Sequence, residues 1–168
     1  MKSRRICFYI FTILSLAFNV LIIVESCVGG GDSASQSFSF SEALADFIEN
    51  LDPSSTLITD RAAFHAVIRK VVGHFLLFGM SGLFTTLSFF FNDFFANKFK
   101  WKNLIFISLI GVSVALISEL IQYFTPGRYG ALTDILIDSS GFLSFMGLTY
   151  LIIYLVQRKK NKAIKESD

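Results

Sequence analysis

Four stretches of this chain are long and apolar enough to cross a lipid bilayer, and that leaves few folds open to it. They fall at roughly 6–24, 71–92, 104–124 and 134–156. Each has about 20 residues, or about 30 Å of helix, which matches the hydrocarbon thickness of a membrane. Lipid offers the backbone no hydrogen-bond partner, so spans of this length are expected to be helices. With 53% hydrophobic residues and 20 Phe among 168, the chain has too little polar surface for a water-soluble domain. The expected fold is an all-α integral membrane protein. It has about four transmembrane helices plus one or two outer interfacial helices.

The placement of Lys and Arg sets the expected orientation. Lys2, Arg4 and Arg5 precede the first span. Lys98, Lys100 and Lys102 lie between the second and third, and Arg158, Lys159, Lys160, Lys162 and Lys165 follow the fourth. Only Arg61, Arg69, Lys70 and Arg128 fall on the opposite side. Both termini are therefore expected in the cytoplasm of a multi-pass membrane protein, with 25–70 and 125–133 facing outward. The layout is an N-terminal span (1–24), an extracytoplasmic segment with amphipathic helices (25–70), a core with three spans (65–156) and a basic tail (157–168). The first span has the basic start of a signal peptide, but its apolar run of about 19 residues exceeds a usual signal core. Glu25 also sits beside the would-be cleavage point in Val24-Glu-Ser-Cys27, so the helix is read as retained. Cys7 and Cys27 lie at its opposite ends, about 30 Å apart, too far to pair within one molecule.

Between the first two spans, Gly29 to Ser37 reads as a flexible linker. Ser39 and Glu42 have capping-box spacing, and Phe40, Leu44, Phe47, Ile48 and Leu51 then share one helical face. That helix either lies at the outer membrane surface or packs on the spans as a lid. Pro53 is expected to end it. Thr59 or Asp60 caps a second helix that can run into the second span. Along it Arg61, His65 and Arg69 align, as a stripe toward lipid headgroups or phosphate, or as a solvated face. Gly79, Gly82, Gly111, Ala115, Ser140, Ser144 and Gly147 are small residues that let helices approach closely.

The chemistry concentrates at one depth. His74 lies about one turn into the second span, and Glu119 and Gln122 share a face of the third. Pro126, Gly127 and Arg128 form a short connection, and Asp134, Asp138 and Gly141 share a face of the fourth helix. The short connection makes the last two spans antiparallel neighbours, so these groups can meet, with His74 joining if the second span packs alongside. Ionisable groups inside a membrane segment are costly and point to function. Three carboxyl groups in a low dielectric need partners, and Arg128 can neutralise one through a bidentate pair. The cluster can grip a polar headgroup, perform acid–base chemistry on it with Glu119 and His74 as candidate catalytic groups, or lock the helices together. The binding residues expected are Glu119, Gln122, Arg128, Asp134 and Asp138, with Pro126, Gly127 and Gly141 structural. The spacing matches no compact metal motif, so no metal and no cofactor is assigned. No nucleic-acid partner is expected. The opposite halves of the spans carry no Asp, Glu, His, Lys or Arg, which argues against a channel or transporter.

At these residues the chain resembles the VanZ-like family. The resemblance rests on Glu119-Leu-Ile-Gln122, Pro126-Gly-Arg128, Asp134, Asp138 and Gly141, and upstream on Arg69-Lys70 followed by His74. The family commonly has Asn where Asp138 stands, and often Tyr or Glu just after the His, where this chain has Leu77 and Phe78. The family is named for an accessory protein of glycopeptide resistance associated with teicoplanin. The resemblance implies a small polytopic protein of the bacterial cell envelope, and the polar cluster makes binding or modifying an outer-leaflet amphiphile the leading expectation. Candidate partners are a membrane lipid, a lipid-linked cell-wall precursor or a lipophilic antibiotic. An intramembrane hydrolase or transferase using Glu119 and His74, or a non-catalytic scaffold, are the alternatives.

Overall fold

The computed structural model describes residues 2–52, 58, 60–92 and 101–167. Most of these residues are helical, in α1 (Lys2–Cys27), α2 (Gly30–Leu51), α3 (Arg61–Ile68), α4 (Leu77–Phe91), α5 (Trp101–Phe124) and α6 (Leu132–Ser167). A π-helical stretch, Arg69–Leu76, joins α3 to α4 without a break. Four helices are long and apolar enough to span a membrane: α1, the continuous rod Arg61–Phe91, α5, and α6. The protein is an all-α membrane protein, as expected. Pro53 and Thr59, given roles as helix terminator and cap, lie outside the described residues, as do Lys98, Lys100 and the side chain of Lys165.

The four spanning helices pack in a ring. α1 touches α4 and α5, and α6 touches the same two from the other side. Phe142 of α6 is the central anchor, 1% exposed, packed with Ile22, Phe78, Ile107, Ala115 and Met146. It fits because its neighbours are glycines. A Cβ on Gly111 would meet the Phe142 ring at 2.3 Å, and one on Gly82 would meet the Phe142 carbonyl at 2.4 Å. Outward-facing positions such as Ile13, Leu109 and Leu120 are exposed, as lipid-facing side chains are.

Leucine gains nothing by leaving lipid for another apolar surface, so polar contacts and close fit hold such helices together. A hydroxyl ladder does this between α1 and α4. Thr12 pairs with Ser88 at 2.7 Å, Ser15 with Thr85 at 2.8 Å, and Ser81 donates to the Asn19 side chain at 3.0 Å. At the open end of the ladder, Arg4 donates to the Phe90 carbonyl and lies over the Phe90 and Phe91 rings. At the other end Ser26 pairs with Ser118 of α5 at 2.8 Å. The sequence had assigned close packing to glycines and serines of α4, α5 and α6; the ladder makes α1 an integral member of the bundle.

Two local expectations fail. Residues 29–37 are not a flexible linker but the first turns of α2. Glycine and serine disfavour helix interiors, yet tertiary docking overrides propensity here. The Gly30 N–H donates to the Pro126 carbonyl at 3.0 Å, and the serine hydroxyls turn back onto the helix: Ser37 to the Ser33 carbonyl at 2.8 Å, Ser41 to that of Ser37 at 2.8 Å. The capping box is consequently absent. Ser39 lies inside the helix and donates to the Ser35 carbonyl, while Glu42 faces Arg61 and His65. α2 buries its small face, Ser33, Ser41 and Ala45, and leaves Phe40, Phe47 and Leu51 exposed. It therefore packs on the protein and also presents an apolar face outward.

Asp60 caps α3 as expected, accepting from the Ala63 N–H at 3.0 Å. The Arg61 and His65 stripe also has partners within the protein. Arg61 pairs with Glu42 and with Glu49 at 2.7 Å, and His65 lies 3.0 Å from Glu42, so the stripe docks α3 on α2. Arg69 departs from it because the π-helical stretch begins there.

Gly141 sets how closely α6 approaches that stretch, since a Cβ on it would stand 2.2 Å from the Phe75 carbonyl oxygen. Gly141→Ala should destabilise the protein by about 1–3 kcal/mol through overpacking. Gly147→Ala, on the same helix with nothing within 4 Å of the added carbon, should be neutral or mildly stabilising. Thermal unfolding of both variants in detergent checks the contrast; equal melting temperatures would remove Gly141 as a packing constraint.

Candidate functional site

The polar residues singled out in the sequence gather where α5 ends, α6 begins and the π-helical stretch passes. In an α-helix, five residues advance about 500°, which would leave Arg69 and His74 about 140° apart. The i→i+5 bonding of the π form sets residues five apart nearly over one another. Arg69 and His74 accordingly line the same cavity. Single π turns within α-helices recur at functional sites.

Gly141 then brings α6 against this stretch, and His74 Nδ1 lies 2.9 Å from Asp138 Oδ1. Asp138 is fully buried. One turn earlier on α6, Asp134 accepts from Lys70 at 2.7 Å. Glu119 approaches from α5, 3% exposed, and its Oε2 accepts from the Ala131 N–H at 2.9 Å, which ties the α5–α6 connection to the helix below. Glu119 Oε1 and Asp138 Oδ2 are buried without a hydrogen-bond partner among the described residues. One ligand-competent atom from each of His74, Glu119 and Asp138 lies within 4.8 Å of the other two.

The connection between α5 and α6 is a tight turn. The Thr125 N–H donates to the Gln122 carbonyl and the Arg128 N–H to that of Thr125, both at 3.1 Å. Gly127 takes φ +73°, the left-handed conformation that glycine adopts without strain. Its carbonyl lies so close to Gly30 that a Cβ on Gly30 would stand 1.8 Å from the oxygen. The start of α2 thus seats on the Pro126-Gly127 turn backbone to backbone.

Arg128 does not pair with a carboxylate of the cluster, as the sequence suggested it could. Nη1 donates to the Glu25 carbonyl at 2.6 Å and Nη2 to the Ser33 hydroxyl at 2.8 Å. It therefore staples the turn to α1 and α2. Burial lowers the Arg128 pKa from its ordinary value, opposed by the Glu25 charge, and the nearby Arg69 pushes the same way as burial. Gln122 donates to Ser118 at 3.4 Å and stays beside the cavity.

Arg69, Lys70, His74, Gln122, Arg128 and Asp134 line a cavity of about 250 Å³, together with Gly30, Ser33, Gly127 and Tyr129. A second cavity of about 260 Å³ shares Ser33, Arg69, His74, Gln122 and Arg128, and continues along α1 and α4 past Leu21, Ile22, Leu77 and Phe78. A polar chamber thus opens into a partly apolar slot. Of the cluster's three members, His74 lines both; Glu119 and Asp138 stand behind it. The sequence had missed the part played by Lys70, Ser33 and the α2 backbone. The pair Arg69-Lys70 at the mouth of an apolar span was the available signal.

The family model described as VanZ/LLP1 matches residues 7–155. The chain belongs to the VanZ/LLP1 family. The match takes in α1 and α2, which in this chain contribute to the cavity walls, as well as the motif-bearing helices. No curated protein and no solved structure matches the chain.

Arg128→Gln should loosen α2 more than α5. Hydrogen bonds to a charged group contribute about 1.5–3 kcal/mol. Amide exchange across Gly30–Leu51 should therefore speed up about tenfold or more, while Trp101–Phe124 is unchanged. Exchange that rises equally in both helices would show that Arg128 supports the whole bundle instead.

Proposed function

We propose that this VanZ/LLP1 protein binds the anionic headgroup of an envelope amphiphile at the outer leaflet. Candidates are a lipid-linked cell-wall precursor or a phospholipid. The observation that carries the reading is the set of three cationic side chains, Arg69, Lys70 and Arg128, around one polar chamber that adjoins an apolar slot. Arg69 makes no ion pair among the described residues and faces Arg128, so an anion between them would relieve their repulsion. A phosphate suits a guanidinium, which presents paired donors in one plane. The slot past Leu21, Ile22, Leu77 and Phe78 would take the first carbons of the lipid tail. Teicoplanin carries an acyl chain, so a protein acting on outer-leaflet lipid would alter its access to the membrane.

A second reading is catalytic. A carboxylate-oriented imidazole, His74 on Asp138, adjoins the chamber, and such a pair can move a proton to or from a bound group. Glu119→Gln keeps the contact with Ala131 while removing a proton acceptor, so it separates binding from catalysis.

Orientation is the first requirement. In intact cells a membrane-impermeant maleimide should label Cys27 and leave Cys7 unlabelled; the reverse pattern would put the chamber at the inner leaflet. Binding is then read by native mass spectrometry of protein in detergent with a polyprenyl phosphate, phosphatidylglycerol or phosphatidylcholine. The two anionic lipids should bind in preference to the zwitterionic one, and the stronger of the two names the source. Arg69→Gln with Lys70→Gln should weaken anionic lipid binding about tenfold or more, since each contact to a charged group contributes about 1.5–3 kcal/mol. Equal retention by the double variant would end the headgroup reading. In a teicoplanin-sensitive host at matched membrane levels, wild type should lower susceptibility and the double variant should not.

A further inference from the structure

We infer that His74, Glu119 and Asp138 form a binding site for a divalent first-row cation, with Zn²⁺ the best fit. The three residues come from the π-helical stretch, α5 and α6, so no local spacing announces them. They present ligand atoms within 4.8 Å of one another. Ligands of one Zn²⁺ lie about 2.0–2.2 Å from it, so the three groups would draw together around the ion, with Asp138 exchanging its contact to His74 for the metal or ligating through its free oxygen.

The second observation is the state of the two carboxyl groups. Glu119 and Asp138 are 3% and 0% exposed, and each leaves one buried oxygen without a partner among the described residues. An orphaned buried polar atom needs an explanation, and two of them in one cluster ask for a shared one. Two carboxylates in a low-dielectric interior repel each other and lose hydration, and one divalent cation answers both. The surroundings are those of a metal site. The Ala131 N–H already fixes the other oxygen of Glu119, as outer hydrogen bonds orient ligating groups. One imidazole with two carboxylates favours Zn²⁺ and admits Mn²⁺, whereas Mg²⁺ prefers oxygen ligands and keeps its waters. Three protein ligands leave a position for water, and His74 lines the chamber. The inference stands independently of headgroup binding, because it concerns the residues behind the chamber.

The test is metal content of the full chain, purified in detergent without added lipid and with a tag free of histidine. After equilibration with a small molar excess of Zn²⁺ and dialysis, wild type should retain about one Zn²⁺ per chain by elemental mass spectrometry. Glu119→Gln and Asp138→Asn should each weaken binding at least tenfold, whereas Glu49→Gln, which alters the α2–α3 pair with Arg61, should not. Circular dichroism confirms folding of each variant. X-ray absorption of the wild-type Zn²⁺ form should show one imidazole nitrogen with oxygens and no sulfur, a readout that stands if the variants unfold. Folded wild type that retains no Zn²⁺, unchanged binding in the two carboxyl variants, or sulfur from Cys7 or Cys27 around the ion would each overturn the inference and leave a cluster that shares protons. Loss of lipid binding with retained Zn²⁺ would strike only the headgroup reading.

Discussion

A bilayer interior cannot satisfy a polar group, and the arrangement of this protein follows from where its polar groups can turn instead. Hydroxyls of α1 meet hydroxyls of α4, Ser26 meets Ser118, and the carboxyls of Glu119 and Asp138 turn inward to the Ala131 N–H and to His74. Apolar side chains face out, where lipid is as good a neighbour as protein. The bundle is thus inverted relative to a water-soluble one: its specificity lies in polar pairs and in glycine contacts, with Phe142 the largest fully enclosed side chain among the described residues.

Close approach and chemistry are linked by two backbone contacts. Gly141 against the Phe75 carbonyl brings Asp138 to His74, and Gly30 against Gly127 brings α2 over the turn. The first places the buried acids behind the chamber, and the second roofs it with Ser33 and the start of α2. Arg128, with the Glu25 carbonyl and Ser33 as its partners, holds the second contact in place. The chamber lined by Arg69, Lys70 and Arg128 and the acidic cluster behind it therefore share one residue, His74.

Much of this was legible. Apolar length gave the four spans to within a few residues at most ends, and the short connection at Pro126 gave α5 and α6 as antiparallel neighbours. The i, i+4 pattern placed Asp134 and Asp138 together. The errors came from reading short segments by propensity. Gly29 to Ser37 looked like a linker because isolated glycine and serine do not hold a helix, but docking on Pro126 supplies what propensity lacks. Arg128 looked like a partner for acids because charge attracts charge, yet a backbone carbonyl and a hydroxyl stand nearer.

The sequence by itself determined that the chain is helical and spans a membrane, because hydrocarbon length and the need to satisfy backbone groups leave no other solution. It also determined which residues are expensive to bury: Glu119, Asp134, Asp138, His74 and Arg128. Only the tertiary structure decided how these divide. The π-helical turn from Arg69 to Leu76 rotates Arg69 and Lys70 into the chamber with His74, and that turn depends on packing against α6 and has no signature in apolar periodicity. Which carboxyl meets lysine, which meets imidazole and which oxygens are left unpartnered follow from ångström-scale approaches set by single glycines. Residue order along one helix does not encode such approaches, because they are properties of two helices at once.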